Sequence, residues 1–191
     1  MDPDVLDDDL RIVALSGESE SGKSSAGRFF ERNGWARIKI ADIYRSIFAA
    51  ERPAATFLDW SIDVDQRAPE WISGRFLELL RARLADVGST YCTIESLYGD
   101  ALAQGLKRLL GARFIILYLD VPQPVRLVRQ MGREGLASLA EAEALMLPRD
   151  EMKRAWGVLR VREMADEIVD NSGAVEGLER QLAVILQRHR P

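Results

Sequence analysis

Gly17-Glu18-Ser19-Glu20-Ser21-Gly22-Lys23-Ser24 fits the pattern G-x-x-x-x-G-K-[ST] at every fixed position. A loop of this kind turns backbone N–H groups inward, where they satisfy closely spaced phosphate charge without side-chain bulk. A helix starting at its end adds a positive dipole end and free N–H groups. In this pattern Lys23 neutralises the β- and γ-phosphate oxygens and Ser24 places its hydroxyl on Mg²⁺. Gly17, Glu20, Ser21, Gly22, Lys23, Ser24 and Ser25 are therefore the expected contacts to a nucleoside triphosphate. The carboxylates of Glu18 and Glu20 are expected to point away from the phosphates, which they would otherwise repel.

The elements around the loop suit this chemistry. Arg11 to Ser16 is a short apolar run, read as a buried strand, and a helix from about Gly22 to Arg32 buries Ala26, Phe29 and Phe30. Ala36 to Ile40, Thr90 to Ile94, Phe114 to Leu119 and Glu167 to Val169 read as four further strands. Phe114 to Leu119 is nearly continuous in apolar residues, as in a strand covered on both faces. Asp42 stands where an N-cap belongs, ahead of a helix carrying Ile43, Ile47 and Phe48. Pro69 to Val87 repeats apolar residues at helical spacing, with Trp71 counted in the core stripe. Helices also follow at Asp100 to Leu110, after Pro124, at Arg149 to Ala165 and at Val175 to Arg188, while Gly132 to Pro148 reads as a mobile segment. Strands alternating with helices predict an α/β chain of one domain, residues 1–191, with a five-stranded parallel sheet between two helical layers.

Composition removes several classes of function. The net charge is −4, which disfavours a nucleic-acid or acidic-membrane partner. Of the 26 basic residues 22 are Arg, the side chain suited to bidentate phosphate contacts. No apolar run approaches a membrane span, and Met1 to Leu10 is an acidic, solvated tail, so the chain reads as cytoplasmic. Cys92 is alone, which leaves no disulfide and suggests a small buried hydrophobe. His189, the single histidine, lies at the C-terminus, so chemistry through a central histidine is not expected. A GTP switch is also disfavoured: there is no N-K-x-D, and the one D-x-x-G, Asp170 to Gly173, falls far too late in the chain.

Two further segments carry a resemblance. Gly34-Trp35 through Ile40-Ala41-Asp42-Ile43-Tyr44-Arg45, and Ala165-Asp166-Glu167-Ile168-Val169-Asp170-Asn171-Ser172-Gly173, resemble the P-loop kinases of nucleotides and cofactors. Dephospho-CoA kinase and nucleoside-monophosphate kinases are the nearest in pattern. The resemblance implies a three-layer α/β/α P-loop NTPase fold, an acceptor-binding insert at about 51–88 and a lid at about 126–153. It implies that Asp42 faces the transferred phosphoryl group, as proton acceptor or through Mg²⁺-bound water, and that Arg45 binds a phosphate of the acceptor. Glu95, ending the third strand in Ile94-Glu95-Ser96, is similar in place to the base of deoxynucleoside kinases, so Asp42 and Glu95 both stand as candidate bases. In the family a lid arginine stacks near the adenine and others clamp the phosphates; Arg129 and Arg133 match the family's lid spacing, Arg126 extends the cationic set, and Arg149 or Lys153 is placed to reach the γ-phosphate. Asn171 and Gly173 form the turn against which adenine packs.

Trp60, beside Asp59 and Asp63 in an irregular stretch, is a candidate for lining the acceptor pocket. Together these features predict an enzyme that transfers phosphate from ATP, with Mg²⁺, to a small-molecule acceptor. That acceptor is nucleotide-like or a cofactor precursor such as dephospho-CoA. The alternative is an ATP-binding regulatory module that transfers no phosphate.

Overall fold

A computed structural model describes residues 9–189; most of the acidic stretch at residues 1–10 lies outside them. Five strands, β1 (Arg11–Ser16), β2 (Ala36–Lys39), β3 (Tyr91–Leu97), β4 (Phe114–Asp120) and β5 (Glu167–Asp170), form one sheet in the order β2-β3-β1-β4-β5. Every pairing is parallel. Strand β1 shows why two helical layers are needed. Its side chains alternate between the sheet's faces, so Ile12 and Ala14 enter one apolar cluster while Val13 and Leu15 enter the other. The cluster of Val13 and Leu15 is covered by α1 (Lys23–Arg32) and α9 (Val175–His189) through Ala26, Phe29, Phe30, Leu178 and Leu182. The opposite cluster is covered by α2 (Ile40–Glu51), α4 (Pro69–Val87), α5 (Asp100–Leu110) and α8 (Val158–Glu163). Helix α3 (Phe57–Arg67) adds Trp60 and Val64 to this second cluster, while α6 (Gln123–Glu134) and α7 (Leu139–Trp156) pair with each other beyond the two layers. No helix among the described residues is long and apolar enough to cross a membrane.

Several sequence expectations are corrected. The segment from Gly132 to Pro148 is mostly helical, and Pro148 lies inside α7. Leu139 to Leu147 is built of strong helix formers, and the Ser138 hydroxyl accepts the Glu141 N–H at 3.2 Å, so the helix carries Pro148 despite its missing N–H donor and its ring's crowding of the preceding turn. The helix breaks at Gly157 instead. Asp42 is not an N-cap: α2 already begins at Ile40, and Asp42 lies in its first turn. The stretch before Gln66 is helix α3, capped by Thr56, whose Oγ1 accepts the Asp59 N–H at 3.2 Å. Trp71 is 40% exposed, because the buried stripe of α4 runs through Ile72, Phe76, Leu80 and Leu84, one position round from it. Cys92 is fully buried, and burial raises its thiol pKa far above the ordinary value, as expected of an inert core residue.

Asp65 ties α3 to its neighbours. Its buried carboxylate accepts the Tyr44 hydroxyl of α2 at 2.5 Å and the Trp156 indole N–H of α7 at 2.6 Å. Burial outweighs these two bonds and pushes its pKa up to about 6 from the ordinary 3.8, with Asp100 adding to the rise. Folded Asp65 therefore binds more protons than the unfolded chain between those values, so its contribution to stability falls as pH rises through that window. Urea unfolding of wild type and Asp65→Asn should show this directly. The wild-type advantage is greatest near about pH 4 and shrinks by an amount on the order of 2 kcal/mol above about pH 6.

Candidate functional site

The loop from Gly17 to Ser24 leaves the carboxyl end of β1, between β3 and β4, where an open parallel sheet presents its crevice. Its shape needs glycine at both ends. A Cβ on Gly17 (φ 134°) would stand 2.6 Å from the Leu119 carbonyl, and one on Gly22 (φ 95°) 2.3 Å from Asn171 Nδ2. Asn171, from the turn after β5, donates that amide to the Ser21 carbonyl at 2.9 Å. Lys23 is folded over the loop, its Nζ donating to the carbonyls of Gly17 (2.8 Å) and Glu18 (2.6 Å) and to Ser21 Oγ (3.1 Å). A cleft of about 740 Å³ opens above it. Serines 19, 21, 24 and 25 line that cleft, with Lys23, Arg129, Arg133, Arg149 and Lys153 as cations and Val175 and Leu178 as an apolar wall beside Asn171 and Gly173.

The outer side of the loop is held by α6 and α7. Arg126, 2% exposed, donates to the Val121 carbonyl (3.2 Å), the Ser19 carbonyl (3.2 Å), the Glu18 carboxylate (2.9 Å) and the Asp150 carboxylate. Asp150 in turn accepts the Ser19 N–H at 2.8 Å; these bonds, with the Arg126 charge, overcome its own burial and hold its pKa below the usual value. Arg154 completes the seam on Glu18 at 2.6 Å. Glu18 thus points away from the cleft, as expected. Glu20 does not: its side chain lines the cleft and pairs with Arg133 at 2.5 Å. It can sit there because cations surround it.

Lys23 and Lys153 share this crowding. Lys153 donates to Ser19 Oγ at 2.6 Å, and both ammonium groups lie over the Tyr98 ring, at 5.5 and 5.0 Å from its centre. Burial, and then the Lys153 charge, lower the Lys23 pKa to about 7. Burial also lowers that of Lys153.

On the other flank, Glu95 lies two residues before the end of β3, buried between Arg37 and α1. Its Oε1 accepts from Arg37 Nε, and its Oε2 lies 3.5 Å from Ser24 Oγ. A hydroxyl beside a carboxylate is an oxygen donor pair suited to Mg²⁺. Among the described residues no group of three or more His, Cys, Asp or Glu side chains forms a metal site. Ser24 and Glu95 fit such an ion where other oxygen ligands complete its shell. Ser96, next in the chain and also lining the cleft, has φ 74°, a strained value for serine at the bulge where the β1–β3 register shifts.

The cofactor-side residues read from the sequence converge. Arg129 bonds the carbonyls of Asn171 (2.6 Å), Gly173 (3.3 Å) and Glu20 (3.4 Å), closing the loop against the β5 turn. The acceptor-side residues do not converge. Asp42, its side chain 50% exposed, pairs with Arg45 at 3.5 Å and borders a separate depression with Arg37, Lys39 and Arg83. Arg45 packs over the Phe57 ring at 5.2 Å. Trp60 is buried against Tyr44, Phe48 and Phe57, a core residue and not a pocket wall, because α3 turns it inward. Tyr98 and Asp150 went unread in the sequence. Asp150 had a signal in the Arg149-Asp150-x-x-Lys153 spacing, which puts Asp150 and Lys153 on one helical face; Tyr98 had none.

No protein-family model matches the chain. It is 24% identical over 184 residues to the UPF0200/UPF0201 protein of Archaeoglobus fulgidus, covering 93% of this chain but 55% of that one. It is 23% identical to a UPF0200 protein of Methanosarcina barkeri, covering 94% and 96%. Neither name states an activity. Among solved structures, a Thermus thermophilus protein superposes with a TM-score of 0.61 (20% identity, 95% and 99% covered). A gluconokinase from Sinorhizobium meliloti 1021 gives 0.54 (20%, 93% and 92%), and dephospho-CoA kinase from Campylobacter jejuni 0.50 (15%, 93% and 96%). The chain has the P-loop kinase fold.

Arg126→Ala strands two carboxylates, Glu18 and Asp150, in this buried seam. Its expected cost is about 3–5 kcal/mol, read as a lower urea midpoint for unfolding.

Proposed function

We propose that the protein is an ATP-dependent phosphotransferase acting on a small nucleotide-like or cofactor-precursor acceptor. One observation carries the reading: the phosphate loop, Lys23 and the α6–α7 cations Arg133, Arg149 and Lys153 face one another across a single cleft. Phosphoryl transfer asks mainly for positioning and for positive charge around the transferring group. In this reading the loop N–H groups hold the β-phosphate, and Lys23 exchanges its bonds to the loop carbonyls for phosphate oxygens. Arg133 and Lys153 approach the terminal phosphate from the lid side. The base lies against Val175 and Leu178, near the Asn171–Gly173 turn that Arg129 closes.

Mg²⁺, bound at Ser24, would supply charge neutralisation between the phosphates. Glu95 rather than Asp42 takes the acidic role, since Glu95 adjoins Ser24 whereas Asp42 pairs with Arg45 outside the cleft. There it orients an acceptor hydroxyl or accepts its proton. Asp42, Arg45 and Trp60 are assigned no contact with the reacting groups.

A second reading, nucleotide binding without transfer, is favoured by one contact: Arg37 already occupies Glu95 Oε1. An ADP-release screen across nucleosides, nucleoside monophosphates and dephospho-CoA separates the two. The phosphotransferase reading expects acceptor-stimulated turnover that Lys23→Ala abolishes. Glu95→Gln lowers it by about 10²-fold or more, and Asp42→Ala leaves it largely intact. ATP binding with no acceptor stimulating turnover would support the second reading instead.

A further inference from the structure

Glu20 is the only carboxylate among the described residues that line the phosphate cleft, against six cations: Lys23, Arg28, Arg129, Arg133, Arg149 and Lys153. It is held there deliberately by the backbone. Glu20 takes φ 57°, a left-handed conformation uncommon outside glycine and asparagine, and its carbonyl accepts from Arg129. Its carboxylate pairs with Arg133 at 2.5 Å, and its side chain is only 13% exposed. It also acts on the deeper cations: its charge favours the protonated forms of both Lys23 and Lys153. Arg133 and the two lysines are the groups that the proposed function directs to the terminal phosphate. A bound terminal phosphate and the Glu20 carboxylate would therefore compete for the same cations.

From this geometry we infer that Glu20 is a tethered stand-in for the terminal phosphate and sets the affinity ratio between tri- and diphosphate. The inference rests on the reading of this cleft as a polyphosphate site. A diphosphate fills the loop N–H cradle and leaves Glu20 on Arg133. A triphosphate must displace it, so part of the attraction of its third phosphate is offset by the lost ion pair. After transfer, Glu20 returns to Arg133 as the terminal phosphate leaves, and the cleft does not face an unscreened cluster of charge. No bond is made or broken by Glu20; it is a specificity-determining residue.

Isothermal titration of the full chain with ATP and ADP, and in parallel with inorganic tripolyphosphate and pyrophosphate, tests this. In Glu20→Gln, ATP and tripolyphosphate should bind about tenfold more tightly, while ADP and pyrophosphate stay within about twofold. Adding Arg133→Met should reduce the Glu20→Gln gain for triphosphates to within about twofold, since the competition is for that guanidinium. Equal shifts for tri- and diphosphates, or weaker ATP binding in Glu20→Gln, would overturn the inference. Glu20→Asn, neutral and tolerant of the left-handed backbone, gives the same comparison should Glu20→Gln fail to fold. If tripolyphosphate shows the shift but ATP does not bind, the nucleotide reading fails and the stand-in survives. If none of the four ligands binds wild type, both fall.

Discussion

The buried guanidinium of Arg126 is the interaction on which the rest of this site depends. A guanidinium is costly to remove from water and is tolerated only where its donors are met by fixed acceptors. Here they come from four parts of the chain: the end of β4 at Val121, the loop carbonyl of Ser19, the loop carboxylate of Glu18, and Asp150 of α7. Because each partner would be stranded without it, these parts are bound to keep one arrangement. Asp150 then takes the Ser19 N–H, Lys153 one turn on meets Ser19 Oγ, and α6 carries Arg129 and Arg133 over the cleft. The root of the α6–α7 pair is thus part of the loop's own scaffold.

This arrangement divides the loop into two electrostatic sides. The glutamates looked paradoxical in a phosphate-binding segment, since repulsion argues for keeping both away from the ligand. Glu18 follows that logic, turned outward between Arg126 and Arg154. Glu20 does not, and the reason is the density of positive charge brought in by α6 and α7. Burial and mutual repulsion lower the Lys23 pKa to about 7, and the nearby carboxylates Asp150 and Glu20 oppose that fall. Six cations lining one cleft repel one another, and an internal carboxylate offsets part of that repulsion.

The sheet, its parallel sense and the loop were legible in the sequence, because local signals and tertiary demands agree there. The run Phe114 to Leu119 is apolar on both faces because both faces are covered, and the glycines stand where a Cβ would strike backbone or the Asn171 amide. Legibility failed where a residue's role depends on partners distant in sequence. Arg126 carries the pattern of any helical arginine, yet its acceptors lie 107, 108 and 24 residues away. Trp60 sits among charged neighbours in sequence, but α3 turns it onto Phe48 and Phe57. Asp42 is placed by its family-like neighbours at a strand end, but β2 stops one residue short of Ile40 and the helix begins early, leaving Asp42 on the exposed first turn. The small and polar residues from Gly132 to Pro148 read as a mobile segment, while the nine residues before Pro148 favour a helix more strongly.

Asp65 extends the same reasoning from the loop to the insert. A carboxylate this deeply buried, with two bonds that do not compensate its desolvation, is a net cost to folding when ionised. What it provides is a connection: Tyr44 in α2, Asp65 in α3 and Trp156 at the end of α7 are held in one polar chain inside an apolar region. Trp156 touches Tyr98, and Tyr98 lies beneath the ammonium groups of Lys23 and Lys153. Gly99 lets this happen, since a Cβ there would stand 2.5 Å from Asp65 Oδ2 and 3.0 Å from Trp156 Nε1. Helix α3 is therefore in physical contact with Lys23 and Lys153 through two aromatic rings and one carboxylate. Helix α3 is thus joined to the same α7 helix that Arg126 anchors, and the two cannot be treated as independent parts.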